Sequence, residues 1–173
     1  MSRPQIGDFS DYALGYINAA QGNTIEELIA NHSGDFLSFL NAIPDEKADF
    51  AYAEGKWTVK QLLQHMIDTE RIFAFRSLTF ARKDTVALAG FDENNYAEAA
   101  PANHRTLAEI KLEFSLLRQS TDLFLLSLTE KDLQQEGSAS NNRVTVNGLA
   151  YILFGHNEHH KKILIESYLL TTE

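Results

Sequence analysis

The chain has 173 residues, no cysteine and a net charge of -9, with 24 acidic residues against 15 lysines and arginines. This charge argues against nucleic acid as a partner, because duplex binding relies on lysine and arginine to neutralise phosphates. The lack of cysteine excludes disulfides, a thiol nucleophile and cysteine-ligated zinc, so any bound metal must take nitrogen and oxygen ligands.

The overall composition is that of an ordinary globular protein, with 44% apolar and 23% charged residues. We therefore predict a single domain over residues 1–173, with a short N-terminal extension over residues 1–22. The N-terminal segment lacks the apolar stretch of a secretory signal, and no run approaches the ~18 apolar residues that span a bilayer. A cytoplasmic protein without a membrane partner is the expectation.

Four long helices are predicted from apolar residues at helical spacing, and each follows a threonine in the N-cap position. No segment has a strand pattern long enough for a sheet, so we predict an all-α four-helix bundle with long connections. A short extra helix is expected before the bundle, closed by Gly22. The long helices begin after Thr24, Thr58, Thr106 and Thr145; the first ends near Ile43, the second near Arg82 and the fourth near Leu170.

The connections between these helices are longer than the usual two to eight residues of a bundle, so they either cross it or carry function. The middle one contains Gly90–Tyr96, which mixes aromatic and carboxylate side chains. It is either a capping turn packed by Phe91 and Tyr96 or part of a site. In the last connection, one helical turn is expected after Thr129, followed by an ordinary exposed loop over residues 134–142.

A pair of histidines on the fourth predicted helix is the strongest indication of chemistry. His156 and His160 lie one turn apart on the face that should enter the core, close enough to share a metal ion. Burial leaves imidazole nitrogens to satisfy, and a shared metal would satisfy them. His65, on the apolar face of the second helix, is the expected third ligand. The alternative is three core histidines that form hydrogen bonds and bind no metal.

Known metalloprotease and di-iron patterns do not fit these histidines, because no glutamate stands directly after His156 or before His160 and no Glu-x-x-His occurs. Asp68 and Glu70 follow His65 closely in the second helix. Either carboxylate could orient an imidazole, act as a fourth ligand or accept a proton in catalysis. The alternative is that both are helix-surface carboxylates. Two more residues of the fourth helix have expected places, Glu158 in solvent and His159 beside the site.

The run from Gly55 to Arg76 resembles the second helix of DinB-like (YfiT-like) proteins, and the run from Gly155 to His160 resembles their fourth. The resemblance extends over about residues 34–169. It implies a four-helix bundle, usually a homodimer, that binds a divalent metal, often nickel or zinc. The family's three histidine ligands correspond here to His65, His156 and His160.

The same resemblance implies two activities. Family members are described as metal-dependent hydrolases, and relatives transfer low-molecular-weight thiols to small substrates. Our first hypothesis is an enzyme whose three-histidine centre activates water to hydrolyse a small molecule. The alternatives are a transferase with a thiol cosubstrate, and a non-enzymatic stress-response module with a structural metal. An open coordination position would favour an enzyme, whereas a fourth protein ligand would favour the structural role.

Overall fold

The computed structural model describes residues 2–100 and 102–170. Four long helices form the bundle, and the predicted all-α four-helix fold is confirmed. In the described part of the chain, no helix combines the length and apolar character needed to cross a membrane. The elements in chain order are α1 Leu14–Ala19, α2 Ile25–Ala42, α3 Val59–Ala81, α4 Glu93–Ala99, α5 Leu107–Leu126, α6 Glu130–Leu133, β1 Glu136–Ala139, β2 Asn142–Thr145 and α7 Val146–Glu166.

Each long helix begins where the sequence predicts, after a threonine whose side chain accepts a hydrogen bond from the backbone N–H three residues later. At the starts of α3 and α5, the side chains of Gln61 and Glu109 also accept a hydrogen bond from the threonine N–H and complete capping boxes. The predicted end of the second helix is one residue from the observed end. The fourth helix stops at Glu166, four residues earlier than expected.

Helix α7 lies at the centre of the molecule, packed along α1 and α3 and touching α2. Residues 146–157 of α7 are all buried, so the first three turns have no solvent-exposed face. A helix that is apolar all round must be covered on every side, and here α1, α3 and the hairpin cover it. His156 and His160, in the C-terminal half of α7, are therefore held on a buried helix.

The N-terminal segment forms a 3-10 turn over Asp11–Ala13 that continues into α1. This short helix packs against α7 at Gly155, where an added Cβ would lie 1.9 Å from the carbonyl oxygen of Tyr16. The missing side chain of Gly155 lets the two backbones touch, which places Tyr16 beside the start of the histidine pair. As predicted, the segment ends near Gly22, whose φ of 133° suits glycine.

The prediction of an exposed loop over residues 134–142 is wrong, because the chain forms a β-hairpin there. Strand β1 pairs with β2 in antiparallel register, from Glu136 opposite Thr145 to Ala139 opposite Asn142. The two-residue turn has positive φ at both Ser140 and Asn141, 53° and 62°, as a type I′ turn requires. Strands of four residues and a turn without glycine give a weak sequence signal.

The middle connection contains α4, which the sequence analysis did not predict. The side chain of Asp92 caps this helix by accepting hydrogen bonds from the N–H groups of Asn94 and Asn95. The rings of Phe91 and Tyr96 lie 5.2 Å apart, as the capping-turn interpretation of Gly90–Tyr96 requires. In the last connection, the helical turn predicted after Thr129 is present as α6.

Candidate metal centre

Three histidines from two helices converge on one point inside the bundle. The Nε2 atom of His65, on α3, lies 3.2 Å from Nε2 of His156 and 3.2 Å from Nε2 of His160, both on α7. The two α7 nitrogens are 3.0 Å apart. Each residue is 9% exposed or less. The structure therefore brings together the three residues that the sequence singles out as metal ligands.

The spacing of these three nitrogens suits coordination of one divalent ion better than it suits hydrogen bonds between the rings. Ligand nitrogens about 2.0–2.1 Å from a common first-row metal, at angles between octahedral and tetrahedral, are about 2.9–3.4 Å apart. Three neutral imidazoles facing one point cannot satisfy each other, because each ring carries a single N–H. Imidazole nitrogen suits zinc, nickel, copper and iron alike. The donor set thus matches the metal that the sequence predicts, without selecting among these ions.

The electrostatic setting keeps the three rings unprotonated. Burial lowers the pKa of His65 to about 4 and that of His160 to about 3, and it lowers the pKa of His156 well below the ordinary value. Repulsion from the neighbouring imidazoles adds to the effect at His156 and His160. The carboxylate of Glu93 acts in the opposite direction on His65. Neutral imidazole is the form that binds metal, so the site is ready for an ion at neutral pH.

Aromatic packing holds the rings in place. The ring of Trp57 lies 4.9 Å from that of His65, and the rings of Tyr16 and Phe73 lie 5.7 Å and 6.2 Å from that of His156. The Nδ1 atom of His160 is buried and makes no hydrogen bond to any described residue. That ring packs instead against the rings of His65, His156 and His159, at centroid distances of 5.0, 4.4 and 5.0 Å.

A cavity of about 450 Å³ opens directly onto the three histidines. Its walls come from α1, α3, α4, α7 and the hairpin. Among the described residues, no fourth histidine, aspartate or glutamate joins the ligand cluster. An ion held there would keep coordination positions free toward the cavity. The lining also includes Tyr16, Trp57, Thr69, Phe73, Arg76, Glu93, Ser140 and His159.

The two carboxylates that the sequence offered as catalytic candidates do not line this cavity. Asp68 is half-buried and accepts a hydrogen bond from Gln64 at 3.0 Å, and burial raises its pKa. Glu70 is 1% exposed and accepts hydrogen bonds from Arg118 at 3.2 Å and Asn157 at 3.1 Å. Burial also raises the pKa of Glu70. This glutamate thus ties α3 to α5 and α7 behind the centre.

Glu93 is the cavity carboxylate that sequence reasoning missed. It is the first residue of α4 and lies exposed on the cavity lining. Its charge favours protonation of His65 and helps to raise the pKa of Tyr16 to about 12, a shift caused mainly by burial. The signal available in the sequence was the mixture of aromatic and carboxylate residues in Gly90–Tyr96. Only the fold shows which of its carboxylates faces the histidines.

The sequence also predicts the positions of two further residues of α7. His159 is exposed on the cavity lining, with its ring 5.0 Å from that of His160, and so flanks the site as expected. Glu158 was expected in solvent, but it is partly buried because its carboxylate pairs with Nδ1 of His32 at 2.9 Å. That pair joins α7 to α2 on the side away from the cavity lining.

Comparisons with known proteins agree with this architecture. A family model described as the DinB superfamily matches residues 28–164. A protein of Geobacillus kaustophilus named "Putative metal-dependent hydrolase" is 26% identical over 159 residues, covering 86% of this chain and 88% of its own length. A protein of Oceanobacillus iheyensis with the same name is 24% identical over 157 residues, covering 86% and 90%.

A solved structure has the same fold. YfiT from Bacillus subtilis, described as "a probable metal-dependent hydrolase with an unusual four-helix bundle topology", matches with a TM-score of 0.65. The match covers 80% of this chain and 85% of that chain, at 18% sequence identity. Likeness at this level of identity shows a shared fold.

Proposed function

Because the chain belongs to the DinB superfamily, we propose that it is a metal-dependent enzyme that hydrolyses a small molecule at its three-histidine centre. The observation that carries the proposal is the position of three buried, neutral imidazoles at the wall of a cavity, with no fourth protein ligand among the described residues. A structural metal site is normally closed by four protein ligands. The open arrangement therefore favours catalysis over the structural role.

In this proposal His65, His156 and His160 hold a divalent ion, with nickel and zinc as the first candidates. Such an ion, when bound, acidifies water and polarises the electrophile under attack. The rings of Tyr16 and Trp57 lie beside the histidines and lower the local polarity, which strengthens electrostatic interactions there. The names of the two bacterial relatives support the same class of reaction.

Glu93 is the proton acceptor that we propose for the attacking water. Its carboxylate lines the cavity close enough to influence both His65 and Tyr16. A general base must reach the proton that it removes, either directly or through one water molecule. For Asp68 and Glu70 we propose supporting roles instead, because their side chains bond to other protein groups outside the cavity.

Transfer of a thiol is the second candidate, and the cavity size supports it. At about 450 Å³, the space is large enough for a substrate and a small cosubstrate together. The chain has no cysteine, so any sulfur nucleophile must arrive with a cosubstrate. Both candidates use the same three histidines, and they differ in whether a thiol is required for turnover.

A homodimer is the assembly that we propose, and α5 offers a surface for it. Leu112, Leu116 and Leu123 are 62%, 58% and 69% exposed and lie on one face of the helix. Light scattering would show a dimer for the wild type and a monomer for Leu116→Lys. A monomeric wild type would contradict this assembly.

The cytoplasmic location stays a prediction from the sequence.

Metal analysis of protein purified without a histidine tag tests the central claim. We expect about one divalent ion per chain in the wild type and a sharp loss in His65→Ala, His156→Ala and His160→Ala, since two ligands hold such an ion poorly. His104→Ala is the matched control, because His104 is exposed and outside the cavity. Stoichiometric metal in the triad variants, or none in the wild type, would contradict the proposal.

Activity is then measured on the metal-loaded protein with panels of esters and amides, each with and without a low-molecular-weight thiol. Turnover without thiol, lost on chelation and restored by the ion, supports hydrolysis. Turnover only with thiol supports the transferase. A fully loaded protein that is inactive under both conditions across the panels would leave the structural role as the better account.

A further inference from the structure

Arg76 is a buried cation on the cavity lining, and no carboxylate of the described residues pairs with it. Its side chain lines the cavity and the residue is 6% exposed. Four other arginines, in contrast, face carboxylates at ion-pair distance: Arg71, Arg105, Arg118 and Arg143. Burial lowers the pKa of Arg76. The guanidinium nevertheless stays charged at neutral pH, because an arginine pKa lies far above it.

Within residues 2–100 and 102–170, the guanidinium donates hydrogen bonds through one nitrogen. Nη2 donates to the carbonyl oxygen of Ala89 at 2.9 Å and to the hydroxyl of Ser140 at 3.1 Å. Nε and Nη1 make no hydrogen bond to a described residue, and neither is sealed from solvent. A charged group with unused donors is costly to bury, and an oxyanion that accepts from one of them offsets that cost. The hairpin turn at Ser140 therefore fixes the group and leaves its free donors in the cavity wall.

The same cation lies within reach of the metal centre. The Cζ atom of Arg76 is 5.7 Å from the centre of the Phe73 ring, and that ring centre is 6.2 Å from the centre of the His156 ring. The guanidinium is therefore at most about 12 Å from the histidine ring, a span that a small molecule in this cavity can bridge. The apolar ring of Phe73 is thus close to both groups.

We propose that Arg76 binds an oxyanion of the substrate, a carboxylate or a phosphate, while the reacting bond lies at the three histidines. This inference rests on the proposed function, and it specifies the substrate as a small anionic molecule with an apolar middle section. The middle section contacts Phe73 and the neighbouring aromatic side chains. Arg76 acts as a specificity-determining residue that positions the substrate and does not touch the reacting atoms.

Calorimetric titration with matched probes tests the proposal. The probes are 4-phenylbutyrate, 3-phenylpropyl phosphate and the neutral 4-phenylbutyramide, titrated at about pH 8 so that the histidines stay neutral. Measurements on metal-loaded protein are repeated on chelated protein, which removes direct binding of the oxyanion to an ion. We expect at least one anion to bind about tenfold tighter than the amide in both forms. The stronger of the two anions identifies the oxyanion class.

Variants of Arg76 decide whether this residue causes the preference. Arg76→Met should bring the anion-to-amide ratio within about twofold of one while leaving amide binding unchanged, and Arg76→Lys should retain part of the ratio. Arg71→Met is the matched control, because Arg71 lies on the same helix outside the cavity. It should keep the wild-type ratio.

Two results would overturn the proposal: a wild-type ratio near one, or a full ratio in Arg76→Met. The first needs no variant and holds even if Arg76→Met fails to fold. In that case, loss of most of the preference in Arg76→Lys supports the proposal, and a fully retained preference overturns it, because lysine places a compact ammonium where arginine has a planar guanidinium. Binding to chelated protein does not depend on metal or turnover, so failure of this inference is distinct from failure of the proposed function.

Discussion

At the scale of single residues, the site depends on imidazoles that remain neutral while buried. The sequence indicated His156 and His160 by their spacing on a core-facing helix, and it indicated His65 by its place on an apolar face. Glu93 could not be found in this way, because its position depends on how the middle connection folds over the cavity. The role of Arg76 could not be found from the sequence either. Only the packed structure shows that this arginine is buried and that no carboxylate of the described residues pairs with it.

Acid should destabilise the metal-free protein through these histidines. The pKa of His65 is about 4 in the folded state against about 6.5 in an unfolded chain, so the unfolded state binds more protons between these values. Stability is therefore full above about pH 6.5 and falls as the pH drops toward 4. One such shift corresponds to about 3 kcal/mol. Urea unfolding of chelated protein at several pH values measures it.

The control for this pH dependence is His65→Phe, which removes one of the titrating rings. The stability of this variant should fall less steeply at low pH than that of the wild type. The other two histidines keep part of the slope, because burial lowers their pKa values too. Equal stability of the chelated wild type from pH 7 to pH 4 would contradict the neutral state assigned to the cluster.

Glu93→Gln should remove the proton acceptor while leaving the metal bound. The expected result is a loss of about a hundredfold in kcat, with metal content unchanged, because an amide cannot take a proton at neutral pH. Steady-state kinetics combined with metal analysis separates the two effects. Glu98→Gln is the control, since Glu98 is exposed on the same short helix and does not line the cavity. Unchanged kcat in Glu93→Gln would remove Glu93 from the mechanism.

At the scale of secondary-structure elements, the four long helices and the short helices α1 and α6 were predictable, whereas α4 and the hairpin were not. Capping threonines and apolar periodicity act within a few residues of sequence, so they marked the starts of α2, α3, α5 and α7 correctly. The hairpin owes its form partly to contacts distant in sequence. Leu88, for example, bonds to Ser138 and Ser140 through its backbone. The hairpin and α4 form part of the cavity wall. The sequence therefore predicted the metal ligands but not the wall around them.

The contact between α1 and α7 should fail when Gly155 acquires a side chain. In Gly155→Ala the new Cβ would lie 1.9 Å from a backbone oxygen of Tyr16, and neither helix can yield without moving the other. We expect a loss of about 1–3 kcal/mol of stability and weaker metal binding, because the next residue is a ligand. Denaturant titration and metal analysis measure the two effects.

Gly34→Ala is the matched control for this substitution. Gly34 also lies within a long helix, α2, but an added Cβ would meet no atom within 4 Å. It should therefore raise stability by up to about 1 kcal/mol, as expected for alanine replacing glycine in a helix. A neutral Gly155→Ala would show that the close approach of α1 does not constrain the site.

The buried pair of Glu70 and Arg118 should prove structural. Glu70→Ala leaves Arg118, which is 1% exposed, with Asp122 as its remaining anionic partner, and should cost about 3–5 kcal/mol of stability. Glu70→Gln keeps the shape and should cost less. In the folded Gln variant kcat should stay close to that of the wild type, which separates a supporting role from catalysis. A kcat reduced by orders of magnitude at unchanged stability would instead assign Glu70 to the chemistry.

At the scale of the whole molecule, the metal site depends on long-range folding. His65 is separated along the chain from His156 by 91 residues and from His160 by 95. An unfolded chain does not hold these three rings together, so an ion that needs all three binds the folded state almost exclusively. Metal binding is thus linked to the stability of the entire bundle, and in particular to the packing of α3 on α7.

Removing the metal should therefore lower the melting temperature. A ligand at about a thousand times its Kd stabilises the folded state by about 4 kcal/mol, which for a chain of this size is roughly 10 °C in Tm. Calorimetry of loaded and chelated protein measures the shift. Because His65→Ala lacks one ligand it should show almost no shift, whereas His104→Ala should show all of it. An equal Tm with and without metal would mean that the ion binds the unfolded chain as well, and the three rings would not act as one folded-state site.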